Sequence, residues 1–392
     1  MEPPRNPIAA VTHPDPYPYY AGLVARTPLY RDEALGLWVA TSAEAVTAVL
    51  TSSLCRVRPP AEPVPRHLLG TPVGDIFRHL VRMNDGARYC PVKHAVSATL
   101  AGVNAEQIAR LGSARARALA DELGPATAPG HLMDFAYRLP ADVVASLLGL
   151  PDDRLPAVAA WTGDLAACFA PGADSARTAR GIAAASELRA TFRALLADGR
   201  AACAGGLLAG FAREAGHDDA DVIVANAIGF LTQAYEATAG LIGNTLVALV
   251  MRPRLRERAA TDPRLLPAIV REVLRHDSPI QNTRRFLAMD SAIAGRALRA
   301  GDAILVVLAA ANRDPAVNPD PARFDAARKR PWSFAFGAGA HACPGSALAV
   351  AIAAAGVTQL LLTGLAPARL EGAIAYRASP NARIPVFAAD DH

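Results

Sequence analysis

From Val222 to Met251 the chain carries one formal charge, Glu236. A stretch of more than about 18 apolar residues serves either as a membrane span or as a helix buried in a large helical protein. Asn226, Thr232, Gln233, Glu236 and Asn244 interrupt this one with groups that lipid would penalise, so it reads as a core helix. Taken from Asp218 to Met251, at about 1.5 Å per residue, it would be roughly 50 Å long and cross the whole molecule. A second uncharged stretch, Pro344 to Ala368, is alanine-rich and only mildly hydrophobic, and it reads the same way.

Two such helices need a large core around them, and the chain has the material: 392 residues, 52% hydrophobic and 19% charged. That composition excludes intrinsic disorder. A net charge of +4 is too weak to imply a nucleic-acid partner. The cysteines (Cys55, Cys90, Cys168, Cys203, Cys343) form an odd, widely spaced set without a CxxC. They argue against a disulfide framework or zinc ribbon and for a reducing, cytoplasmic setting. The first twenty residues hold six prolines and no apolar core, so they read as neither signal peptide nor membrane anchor.

Along the chain, Asp15–Arg26 is helical, Pro28–Ala40 alternates like a hairpin and Ser42–Leu50 is a short capped helix. Residues 55–88, rich in proline and arginine, read as a long functional loop. Helical patterns dominate from Pro91 to Gly216, with a cap at Asn104, a stop before Pro151, and a solvated arginine face (Arg177, Arg180, Arg189, Arg193) on Ser175–Asp198. After a helix at Arg264–His276 come strands, clearest at Ala303–Leu308, a proline- and asparagine-rich meander over 312–335, and a last helix from about Pro344. No repeat or linker divides the chain. The expected fold is mainly α with a small β portion, one large domain over residues 1–392.

The segment Phe336-Gly337-Ala338-Gly339-Ala340-His341-Ala342-Cys343-Pro344-Gly345 carries the chemistry. Its glycines permit a tight loop and close backbone approach to a flat ligand. Cys343 lies just before a helix whose first N–H groups favour an anion, so its thiol is a candidate thiolate and a plausible ligand for haem iron. The other cysteines read as inert buried residues.

The string resembles the FxxGxxxCxG haem-thiolate signature of the cytochrome P-450 superfamily. Glu272-Val273-Leu274-Arg275 resembles its ExxR, and Ala311–Pro315 with Pro319–Phe324 resembles its meander. The resemblance runs from about Asp15 to the C-terminus. It implies that fold, with haem b held between the central helix and the cysteine-loop helix and Cys343 as the iron's axial ligand; Phe336, Gly337 and Gly345 belong to the same cofactor loop. It further implies that Glu272 and Arg275 lock with the meander arginine, Arg323, and that Arg285 and His341 anchor the haem propionates. The usual HxxxR is absent. Arg88-Tyr89-Cys90-Pro91-Val92-Lys93 stands there, so Tyr89 and Lys93 either donate to a propionate or are a packed tyrosine and a solvated lysine.

The central helix departs from the family pattern. Gln233-Ala234-Tyr235-Glu236-Ala237-Thr238 keeps the acid at Glu236 but has Ala237 where an alcohol usually relays protons. Thr238 follows about 100° further around the helix and points elsewhere. Three accounts stand open: bound substrate supplies a hydroxyl or ordered water; Gln233 either holds the water or is bonded within its own helix; or the reaction needs less proton relay, as in oxidative coupling. Glu236 is either the proton donor or a structural acid.

By resemblance, substrate meets the 55–88 loop, the segment around 160–185, Gln281, Asn282, Asn381, Arg383 and Phe169. The activity implied is oxidation of an organic small molecule by a monooxygenase, in secondary metabolism. Coupling or cyclisation without oxygen insertion is the alternative, and a haem-binding sensor or recruitment protein without turnover is a third. Electrons would come from a ferredoxin and an NAD(P)H-dependent reductase, because no flavin or iron–sulfur segment is evident. Lys93, Arg252, Arg254, Arg328, Lys329 and Arg330 offer such a carrier a basic face, or are an ordinary solvated surface. The enzyme would act as a monomer.

Overall fold

Asp219 starts the central helix: its carboxylate accepts the backbone N–H groups of Asp221 and Val222, and the helix runs unbroken over Ala220–Val250. This computed structural model describes all residues except 1, 87–88, 171, 199–205, 217–218 and 388–392. At 31 residues the helix is about 46 Å long. It packs against helices Leu132–Leu148, Leu155–Cys168 and Ser175–Ala197, and also against the cysteine helix, Ser346–Leu362, and the helix Leu266–His276. Among the described residues no single helix is long and apolar enough to cross a membrane.

Both ends of the central helix are clamped by its own asparagines. Asn226 accepts from the Val81 N–H at 2.9 Å and donates to His79 O at 2.9 Å. Asn244 donates to Asp277 O at 2.9 Å and to Arg383 O at 3.2 Å. Between them the surface changes character. Ile223–Gly229 and Thr238–Val250 are buried, whereas Thr232–Ala237 keep accessible surface.

The β portion is a mixed five-stranded sheet with two small hairpins. Strands β1 (Leu29–Asp32), β2 (Leu37–Ala40), β3 (Cys55–Arg56), β4 (Thr283–Leu287) and β7 (Ala303–Val306) lie in the order β1-β2-β7-β4-β3, with β2 and β7 parallel and the other pairs antiparallel. β5 (Ser291–Ile293) pairs with β6 (Arg296–Leu298), and β8 (Ile374–Tyr376) with β9 (Pro385–Phe387). Alternation along β4 sends Arg285 and Leu287 inward and leaves Arg284 exposed.

The helical and strand expectations hold, with one difference. The 55–88 segment is not simply a loop: Thr71 caps a helix at Pro72–His79, and a single turn follows at Val81–Met83. Its proline density hid a proline at a first-turn position, where a helix tolerates it. The arginine face on Ser175–Ala197 is also more than solvated, because Arg189 donates to Asp75 at 2.8 Å and ties that helix to Pro72–His79.

Candidate active site

The cysteine loop is built from backbone bonds. Gly337 N–H donates to Phe334 O at 2.8 Å and Cys343 N–H to Phe336 O at 2.8 Å, folding the segment back on itself before the helix at Ser346. Gly337 and Gly339 both have positive φ, and a Cβ on Gly339 would lie 2.6 Å from Leu50 O. Only glycine satisfies both the conformation and the contact there. Cys343 Sγ is accessible and accepts the Gly345 N–H at 3.4 Å.

Cationic and phenolic groups gather around this loop. Tyr89 and Lys93 lie on the helix Tyr89–Ala101, one turn apart. Tyr89 donates to Ala340 O, and Lys93 Nζ donates to Ala342 O at 2.6 Å. Burial lowers the Lys93 pKa, and nearby Cys343 raises it. Burial, with Cys90 and Asp85, pushes the Tyr89 phenol up to about 12. His341 stacks on Tyr89 with ring centroids 4.4 Å apart and its Nε2 lies 3.0 Å from Asp85 Oδ1. Burial raises the Asp85 pKa, but the His341 and Val57 hydrogen bonds outweigh it and the net shift is downward. Arg285 is buried, and its pKa is depressed by that burial. Its hydrogen bonds go to Arg284 O at 2.8 Å and Thr283 Oγ1 at 3.4 Å, neither of them a carboxylate.

On the central helix, Glu236 Oε1 accepts from Arg377 Nη2 at 2.5 Å. Gln233 Nε2 donates to Gly229 O at 2.8 Å, within its own helix. Ala237 belongs to the accessible run, and Thr238 is buried, turned away from it.

The Cytochrome P450 family profile matches residues 215–363. The crystal structure of CalO2 is 30% identical, superposes with a TM-score of 0.80, and the match covers 96% of this chain and 94% of that one. The chain belongs to the cytochrome P450 family. It is also similar to the vitamin D(3) 25-hydroxylase of Pseudonocardia autotrophica, 33% identical over 231 residues, which is 57% of this chain and 56% of that enzyme. The cytochrome P450 monooxygenase PikC of Streptomyces venezuelae is 29% identical over 351 residues, covering 86% of this chain and 80% of that enzyme.

A cytochrome P450 binds haem b with a cysteine thiolate as axial ligand. The residues gathered here fit that group. Among the described residues buried Arg285 has no carboxylate in ion-pair contact, His341 and the accessible Cys343 sulfur lie on one loop, and Lys93 donates to that loop at Ala342 O. A dianionic macrocycle would supply the missing counter-charge. Arg88, expected among the cofactor contacts, lies outside the described residues.

The P450 ExxR lock is formed. Buried Arg275 donates through Nε and Nη2 to both oxygens of buried Glu272, at 3.0 and 2.6 Å. It also donates to Pro321 O at 2.8 Å and Arg323 O at 3.0 Å. The expected side-chain contact from Arg323 is not made. Its carbonyl turns towards Arg275, so its guanidinium points outward, 3.6 Å from Asp325, and Arg328 takes the position near Glu272 at 3.7 Å.

Several expected pocket residues are spent on the fold of this P450 instead. Arg383 is buried, donating to Asp277 at 2.9 Å and to the carbonyls of Val11, His13 and Pro14. Gln281 donates to Ser278 O at 2.6 Å, and Asn282 to Pro380 O at 2.9 Å. Asn381 is exposed, with its backbone carbonyl accepting from the Gln281 N–H. Gln281 and Asn282 thus bond backbone carbonyls, and the Asn381 amide oxygen accepts from Ser379 Oγ at 3.4 Å. Phe169 packs on Phe77 at 5.9 Å. Of the expected basic face, Arg252 stacks on Phe324 at 4.2 Å and Arg328 binds Pro319 O at 2.7 Å, which leaves Arg254, Lys329 and Arg330 exposed. Sequence reading missed Asp85 and Arg377. Nothing local marks them, since their partners come from distant segments.

Proposed function

We propose that the protein is a haem-thiolate monooxygenase that oxidises an organic small molecule in secondary metabolism, with Cys343 as the axial ligand. The observation that carries this is the cysteine loop itself: an accessible sulfur facing one backbone donor, with His341 on the loop, Lys93 bonded to it, and buried Arg285 as a further cation for a dianionic cofactor. Bound haem supplies oxygen activation and electron transfer. The chain's own residues hold the cofactor, shape the cavity against the Thr232–Ala237 run and deliver protons. Glu236, bonded through Oε1 to Arg377 on the accessible stretch of the helix, serves as the proton donor through its other carboxylate oxygen. The names of the relatives, two of them a hydroxylase and a monooxygenase, support a tailoring oxidation. Reducing equivalents come from a ferredoxin and its NAD(P)H-dependent reductase, with Arg254, Lys329 and Arg330 keeping their charge in solvent for an acidic carrier.

The test is the absorbance spectrum of the reduced, haem-loaded protein under carbon monoxide. A far-red Soret band in the wild type, lost in Cys343→Ala, is the expected result. A band typical of histidine ligation in undamaged wild-type protein would overturn the assignment.

Ala237 favours a second reading on the same fold, oxidative coupling without oxygen insertion. With Gln233 tied to Gly229 O, the helix itself offers no evident substitute for the missing alcohol. Product mass separates the two, since insertion adds an oxygen atom and coupling removes hydrogens.

A further inference from the structure

Two side chains of the helix Tyr89–Ala101 reach the cysteine loop at alternate carbonyls. Tyr89 Oη donates to Ala340 O and Lys93 Nζ to Ala342 O, the latter at 2.6 Å. The two residues stand one turn apart, on one face of the helix. That face is seated by buried Tyr89 and Val96, whereas Cys90 and His94 turn to solvent. Lys93 is itself half-buried, and among the described residues it forms no ion pair.

The Ala342 carbonyl belongs to the peptide unit that leads into Cys343. The N–H of that same unit donates to Phe336 O at 2.8 Å. A peptide unit is planar, so holding its oxygen and its N–H fixes the whole plane. The plane ends at the Cys343 Cα and therefore sets the direction in which the sulfur leaves the loop. One of its two holds is backbone to backbone. The other is a single charged side chain.

We propose that Lys93 is a positioning residue for the cysteine sulfur: it locks the Ala342–Cys343 peptide and brings a positive charge to the loop at the sulfur's own residue. This rests on the haem-thiolate reading above. It assigns Lys93 to the cysteine loop and leaves the propionates to Arg285 and His341. Outer groups that bond to a ligand's surroundings fix its orientation and tune the metal it holds. A cation here draws charge from the thiolate and favours the reduced state of bound haem.

The test compares the haem-loaded wild type with Lys93→Met, which keeps an apolar stem but loses the charge and the donors. Three quantities are read. They are the rate at which the far-red carbon monoxide band converts to a thiol-type band in mild urea, the reduction potential, and the rate of haem transfer to apomyoglobin. Losing a hydrogen bond from a charged group should speed the band conversion about tenfold. The potential should fall, and haem transfer should stay as in the wild type. Lys93→Arg, which keeps charge and donors, should return both changed quantities towards wild type. Lys93→Gln, too short to reach Ala342 O, gives the same readings if the methionine variant does not fold. Faster haem transfer with unchanged band conversion and potential would make Lys93 a propionate anchor and overturn the proposal. No change in any of the three would overturn it as well. Failure of the haem-thiolate reading itself would show earlier, as a wild type without the far-red band.

Discussion

Arg377, at the end of the short C-terminal strand β8, closes an ion pair with Glu236 in the middle of the central helix. The pair joins two segments far apart in sequence at the helix's accessible stretch. Its side chains are about a third to two-fifths exposed, so solvent screens it and its worth to stability is small, roughly 0.5 kcal/mol.

Arg377→Ala should therefore barely change the melting temperature but should free Glu236 to swing. With electrons supplied and an oxidisable substrate present, the variant should divert more reducing equivalents to hydrogen peroxide than the wild type. A large loss of stability with unchanged peroxide yield would make the pair a structural tie.

Breaking the buried lock should do the opposite. Glu272→Ala leaves Arg275 as a buried cation beside carbonyls alone, and loss of one partner of a buried pair costs about 3–5 kcal/mol. Urea denaturation should register that loss, together with a lower haem content per chain. A variant as stable as the wild type would mean the meander holds without the pair.

At Arg285 stability and cofactor binding should move in opposite directions. Among the described residues its buried guanidinium bonds only neutral oxygens, so Arg285→Met should leave the haem-free protein as stable or more so. Haem should leave the same variant about tenfold faster, followed by transfer to apomyoglobin, because a charge-assisted bond to a propionate is gone. Unchanged haem loss would remove Arg285 from the cofactor's anchors.

Asp142 supplies the pH dependence. It is buried in the helix Leu132–Leu148, 3.5 Å from Arg138 in an i,i+4 pair. Burial raises its carboxyl from 3.8 to about 6, and Arg138 opposes the shift without cancelling it. Between those values the folded protein keeps a proton that the unfolded chain releases. Its contribution is therefore complete below about pH 4 and is lost as pH rises to about 6. Asp142→Asn should remove that slope and gain on the order of 3 kcal/mol relative to wild type at pH 7. Parallel melting curves of both proteins from acid to neutral pH would refute it.

What could be read from sequence was local or carried by a motif. The central helix declared itself by length and absence of charge, the cap at Asn104 by residue type, and the cysteine loop by glycines at fixed offsets. What escaped depends on contacts between remote segments. Gly339 reads as a flexible residue until Leu50 O is seen against it. Arg383 reads as a pocket group until Asp277 and three N-terminal carbonyls claim it. Arg323 carries the expected residue type in the meander, yet Arg328 faces Glu272, because a turn's direction is not written in its residue types.

Asn226 and Asn244 make the central helix a beam clamped near both ends and tied more lightly between them, by the Glu236–Arg377 ion pair and the Tyr235–Tyr137 ring contact. A load applied there, whether an entering molecule or an engineered side chain, bends the middle and leaves the supports in place. The span from Thr232 to Ala237 is thus the lightly tied panel of the beam: its shape can be rewritten, by evolution or by design, while the two asparagine clamps stay in place.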